Sequence, residues 1–264
     1  MIRKIRQSFL LVLLTGMTLP SLGLAGKIVR LSTDRGSSQY FYEMKNHNAV
    51  ATVILFIGGK GKLRFDKKGT RKLYKSNNFL ARTRQLFKHQ KLNVVVIDAP
   101  TDQQGPDGMF YGFRATAAHA HDVALVVRYA RTTFSKPVWL IGTSRGTESV
   151  ANAAIRLGNK IDGIVLTASM TEPNRKGTAV SEMNVKKIAI PVQIVSHTND
   201  KCHVTTPHGS KRLFRKLKRS PRTELKMVSG GDAAISKPCK ARSAHGFLGI
   251  EKQVVTLIGE FIRR

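Results

Sequence analysis

The chain has 264 residues, 41% of them hydrophobic, with no repeat and no low-complexity tract; this excludes general disorder and leaves room for one large domain with an ample core. Lysine and arginine number 45 against 16 acids, a formal charge of +29, which favours association with polyanions. The basic residues are spread along the chain, so no specific nucleic-acid partner is expected.

The chain begins "MIRKIRQ", with Arg3, Lys4 and Arg6, and continues into the apolar "SFLLVLLTGMTLPSLGLA". Small residues Gly23 and Ala25 precede Gly26. A basic stretch, an apolar core and a small-residue site together predict a secretory signal peptide over 1–25, cleaved after Ala25. Gly16 and Pro20 interrupt the apolar run, which favours a cleaved leader over a permanent anchor. The expected mature protein, 26–264, is a single domain in the periplasm or secreted. Its charge fits weak association with anionic envelope surfaces.

"KIVRLST" and "QYFYEM" read as an antiparallel edge pair. Continuous apolar, β-branched runs follow at Ala49–Ile57, Leu92–Pro100, Val138–Gly142, Ile161–Ser169 and Ile190–His197, with a shorter one at Thr223–Gly230. Runs without alternation fit strands covered on both faces, as in a parallel sheet. Helical patterns lie between them: one from Asn78, one over Ala115–Arg131, one after Ser144, and a last over Gly249–Arg264. In "SKRLFRKLKRS", Leu213, Phe214 and Leu217 recur at helical spacing and predict an amphipathic helix with its charges in water. Strand and helix in alternation predict an α/β fold, a doubly wound, mostly parallel sheet with helices on both faces.

Active groups in such sheets sit in loops at the carboxyl ends of strands. That rule selects the Gly58–Gly61 loop, Asp98, Ser144, Asn199 with Asp200, and the stretch from Gly230 to His245. Gly142-Thr143-Ser144-Arg145-Gly146 matches the nucleophile elbow G-x-S-x-G, with "VWLI" before it and helix formers after it. The pattern alone is weak; the strand-to-helix context gives it force. The amide of Arg145 would stand at a helix N-terminus, able to donate to an oxyanion.

With this elbow the chain resembles the α/β-hydrolase superfamily over essentially the whole of Val29–Arg264, in the motif order serine, acid, histidine. The resemblance implies a second oxyanion donor after the first strong strand, where Ile57-Gly58-Gly59 replaces the usual His-Gly-Gly; the amide of Gly59 or Lys60 would supply it. A phosphate-loop reading of this stretch fails, because Phe56 stands where the first glycine belongs and Leu63 where Ser or Thr belongs. The resemblance also implies an acid at the end of a later strand, Asp200, with Asp232 as competitor. It puts the base before the terminal helix, which selects His245 over His203 and His208. His119 and His121 read as helix residues and His197 as a strand-end residue.

In that fold the loops carrying Cys202 and Cys239 meet at the catalytic edge. A disulfide between them would tie the acid loop to the histidine loop, contributing about 4 kcal/mol in the chain-entropy model. The polar stretch of roughly twenty residues after the fourth run is too short for a large helical cap, so little or no lid is expected and the cleft should be open. No metal cluster has ligand spacing and no cofactor is called for. The activity implied is a serine hydrolase, probing for an ester ahead of a thioester or amide in a small-molecule acyl substrate. Two alternatives stay open: a serine peptidase, and a basic envelope protein that keeps the fold to bind polyanions without turnover. Lys60 and Arg145 flank the site and suit an anionic group on the substrate.

Overall fold

The computed structural model describes residues 26–264, and the leader assigned to 1–25 lies outside the described residues. Eight strands form one sheet: β1 (Lys27–Ser32), β2 (Ser38–Met44), β3 (Ala51–Phe56), β4 (Leu92–Ile97), β5 (Val138–Thr143), β6 (Gly163–Thr167), β7 (Val192–His197) and β8 (Thr223–Val228). Their spatial order is β1-β2-β4-β3-β5-β6-β7-β8. β2 runs antiparallel to both of its neighbours, and every other pairing is parallel.

The helices are α1 (Phe65–Lys68), α2 (Arg71–Tyr74), α3 (Phe79–Arg82), α4 (Arg84–His89), α5 (Ala117–Phe134), α6 (Gly146–Leu157), α7 (Pro207–Lys216) and α8 (Glu251–Arg263). They cover both faces. Every residue of β3, β4 and β5 is buried, which is why these strands read as unbroken apolar runs. Successive residues serve opposite faces. Ile54, Phe56 and Leu140 pack with α5, α6 and α7, while Val53, Leu55 and Trp139 pack with α1 to α4 and α8. Gly163 makes room for the Trp139 ring, whose atoms stand 2.2 Å from where a Cβ would lie.

Two local features differ from the sequence pattern. The helix from Asn78 is interrupted at Thr83, whose hydroxyl folds back onto the Phe79 carbonyl at 2.7 Å, leaving α3 and α4 as separate pieces. In α7, Leu213 and Leu217 are buried as their spacing requires, but Phe214 is 37% exposed, so the apolar stripe is narrower than three residues suggest. Between β6 and β7 the described chain forms an Asn174–Gly177 bridge and two single 3₁₀ turns, Val180–Glu182 and Val185–Lys187, but no helical cap.

Candidate active site

The carboxyl ends of β3, β5, β7 and β8 bring one loop each to the same edge of the sheet. Ser144 follows β5 with φ of +52°, left-handed backbone that costs a serine on the order of 1 kcal/mol or more. Gly142 and Gly146 make this turn feasible. A Cβ on Gly146 would stand 2.0 Å from the Phe56 carbonyl oxygen, and one on Gly142 would stand 2.6 Å from the Gly146 oxygen. The chain therefore passes from strand to helix through two residues, Ser144 and Arg145, with the Arg145 amide heading α6.

The Gly58–Gly61 loop lies directly against that turn, since a Cβ on Gly58 would sit 3.0 Å from the Ser144 Cβ. Gly59 has φ of +60°, a conformation glycine adopts without strain. The Lys60 side chain is drawn away to the Pro106 carbonyl, 2.6 Å from Nζ. Two groups hold this loop from beneath: Asp98, which the carboxyl-end rule selects, and Arg114, which no sequence signal marks. Asp98 accepts from the amides of Leu63 at 2.5 Å and Phe65 at 2.9 Å. Burial raises its carboxyl above the usual range, against the pull of those amide bonds. The fully buried Arg114 donates from Nη2 to the carbonyls of Ile57 (3.2 Å) and Gly59 (3.3 Å), and from Nη1 to Ser149 Oγ (2.8 Å). Burial lowers its guanidinium to about 10, with the nearby Glu148 carboxylate opposing that shift.

Asp200 and His245 face one another across the loops after β7 and β8. His245 Nδ1 lies 3.0 Å from Asp200 Oδ2. The Asp200 side chain is wholly buried and that of His245 nearly so. The other Asp200 oxygen accepts from the Cys202 amide at 2.9 Å, which fixes the carboxylate plane. Thr205 completes the pair: its hydroxyl donates to Asp200 Oδ2 at 2.8 Å and lies 3.0 Å from His245 Nδ1. Ser144 and His245 both line one cleft of about 200 Å³, together with Gly58, Gly59 and Asn78. Among the described residues no direct hydrogen bond joins Ser144 to His245; such contacts often tighten only when substrate binds.

The competing groups lie nearby but, among the described residues, are not bonded to this pair. Asp232 is exposed and has no side-chain hydrogen bond to His245 among the described residues. His203 and His208 are exposed. His197 is buried at the end of β7, its Nε2 2.9 Å from the Gly230 carbonyl. His121 is exposed on α5, whereas His119 is buried against Ser149 Oγ at 2.8 Å and burial pushes its pKa down to about 3. Cys202 and Cys239 form a disulfide. With His203 they make a cluster at metal-ligand distances, but the two sulfurs are bonded to each other and offer no thiolate.

This strand order and loop placement define the α/β-hydrolase fold, which the chain has. It is similar to a cold-adapted esterase from an Arctic intertidal metagenomic library at 16% identity, over 93% of this chain and 97% of that one, with a TM-score of 0.60. A dienelactone hydrolase from Anabaena variabilis aligns over 90% and 97% of the two chains at 11% identity and a TM-score of 0.64. A Pyrococcus furiosus esterase aligns over 91% of each at 15% identity and a TM-score of 0.62. No protein-family model and no curated protein sequence matches the chain.

Proposed function

We propose that this protein is a serine hydrolase that cleaves a carboxylic ester through an acyl-enzyme on Ser144. The observation that carries the reading is the buried His245–Asp200 pair at 3.0 Å, whose imidazole shares a cleft with a serine in left-handed backbone. The solved structures it resembles include esterases and a dienelactone hydrolase, which supports ester chemistry.

Neutral His245 holds its Nδ1 proton toward Asp200, leaving Nε2 free to take the Ser144 proton as Oγ attacks the acyl carbon. The amides of Arg145 and of Gly59 or Lys60 donate to the oxyanion that forms. When the carbonyl re-forms, the C–O bond to the alcohol breaks and imidazolium returns its proton to the departing oxygen. Water then repeats the attack, loses its proton to His245, and releases the carboxylic acid and free Ser144. The chain is exported by the leader over 1–25, consistent with a disulfide in the mature part.

The test is labelling by a fluorophosphonate together with hydrolysis of 4-nitrophenyl esters. Ser144→Ala abolishes labelling and lowers kcat by about three orders of magnitude or more. Asp200→Asn lowers it less, and Asp232→Asn leaves it nearly unchanged. A crippled Asp232→Asn beside a mild Asp200→Asn would move the acid to Asp232. Full ester turnover by Ser144→Ala would replace the enzyme with a polyanion-binding protein of the same fold.

A further inference from the structure

A second groove, of about 410 Å³, opens on the other side of Ser144 and shares Gly59, Ser144, Cys239 and Lys240 with the small cleft. Arg145, Arg175, Lys176 and Lys240 line it, and no Asp or Glu does. In a chain this basic, cations alone mean little. A comparison with three clefts that Ser144 does not line is what separates this one. The cleft beside α5 sets Asp162 among its cations, the one behind His245 sets Asp232 beside Lys201, and the one at the end of α8 sets Glu224 and Glu260 against Lys226, Arg263 and Arg264.

The cations of the groove are also held in place. Asn174 and Gly177 form a β-bridge that presents Arg175 and Lys176 at the tip of a tight turn. Gly177 permits this approach, because a Cβ there would stand 2.5 Å from a Glu148 oxygen and 2.7 Å from Arg145 Nη1. The turn is pinned by Tyr111 N donating to the Lys176 carbonyl at 3.1 Å and by Arg145 Nη2 donating to Asn174 Oδ1 at 2.6 Å. Arg145, Lys60 and Lys176 gather around the Phe110 ring, 5.1, 5.8 and 5.6 Å from its centroid. Among the described residues only Glu148, beneath Arg145, supplies a countercharge by ion pair. Bringing like charges together is unfavourable unless something of opposite sign completes them.

We infer that this groove is a subsite for an anionic oxygen group, such as a carboxylate, carried by the ester substrate. The inference rests on the serine-hydrolase reading for its turnover but not for its binding, and the two can be tested apart. Paired esters read the position of the charge. On the acyl side, 4-nitrophenyl hemisuccinate is compared with 4-nitrophenyl butyrate; on the alcohol side, 4-carboxyphenyl acetate is compared with 4-carbamoylphenyl acetate.

At low salt the anionic member of at least one pair has a kcat/KM at least about tenfold higher, chiefly through KM, and added salt erodes the advantage. The triple variant Arg175→Gln, Lys176→Gln, Lys240→Gln brings that ratio to within about twofold of parity. Removing equal charge from exposed positions on and beside α7, by Lys211→Gln, Arg215→Gln and Lys218→Gln, leaves the ratio as it was. Calorimetry of the same esters on Ser144→Ala reads binding without turnover. Equal rates and equal binding for both members of both pairs overturn the subsite while the hydrolase stands. Loss of the preference in the α7 variant assigns it to the general field of the protein and also overturns the subsite. Anionic esters bound but never hydrolysed, with the wild-type serine unlabelled, keep the subsite and remove the hydrolase.

Discussion

The hydroxyl of Thr205 is the smallest group on which the candidate site depends. It reaches the Asp200 oxygen that faces His245, and it lies 3.0 Å from the same imidazole nitrogen. With its proton given to Asp200, its lone pairs share the Nδ1 proton and hold the ring in one tautomer. Thr205→Val keeps the volume and removes the hydroxyl, so kcat should fall by about tenfold, the worth of one hydrogen bond of about 1.4 kcal/mol, with a shifted acidic limb in the pH–rate profile, the limb set by the general base. Thr205→Ser should restore both. An unchanged profile in Thr205→Val, or a failure of serine to rescue, would make Thr205 a packing residue only. Nothing in the sequence marks Thr205, because it lies five residues past Asp200 in a loop with no periodicity. Arg114 escaped for the same reason: a buried arginine beneath a glycine loop leaves no pattern in the chain. Ser144 stood out as a candidate because it ends an apolar run at a strand-to-helix turn, and His245 because it precedes the terminal helix, where the resemblance puts the base. The resemblance put Asp200 ahead of Asp232 on the wording of its loop, although both follow strands. Burial and orientation toward His245 favour Asp200.

At the scale of elements, legibility followed burial. β3, β4 and β5 are apolar throughout because both faces are covered, and their runs stood out. α1 and α2 are four residues each and carry a single buried apolar side chain apiece, Phe65 and Leu73. Their position owes more to loop anchors such as Asp98 than to periodicity. The Cys202–Cys239 disulfide acts at the same scale, joining the acid loop to the histidine loop across 37 residues. Closing a loop of that length contributes about 4 kcal/mol. In a domain of this size that corresponds to a Tm lower by about 10 °C for the double variant Cys202→Ser, Cys239→Ser. The Cys202 amide also fixes Asp200, so ester turnover should fall below the Tm as well. Differential scanning calorimetry and initial rates at 20 °C, a temperature chosen to stay about 10 °C or more below the variant's transition, read the two effects separately. Full activity with a lowered Tm would show that the bond secures the fold but not the acid.

For the molecule as a whole the governing quantity is charge. Sixteen acids cannot pair more than a minority of forty-five cations, and three of those cations lie in residues 1–25. Several acids are also committed within the structure: Asp200 to His245, Asp98 to backbone amides, and Glu148 to Arg145. Cations are therefore in large excess over acids, and the compact state carries self-repulsion that the expanded chain relieves. Sodium chloride screens it, with the Debye length shrinking from about 30 Å at 0.01 M to about 8 Å at 0.15 M. The surface ion pairs, such as Arg131–Asp162 and Arg212–Glu172, are weakened over the same range, but exposed pairs contribute only about 0–1 kcal/mol each. Repulsion among many unpaired cations outweighs them. The Tm should therefore rise with salt between these two concentrations, where a protein with balanced charge would change little. Thermal unfolding of a protein comprising residues 26–264 in a sodium chloride series at fixed pH measures this. A Tm that falls as salt is added would mean that attractive pairs dominate the surface, and that its positive field is too well compensated to draw the protein to an anionic envelope.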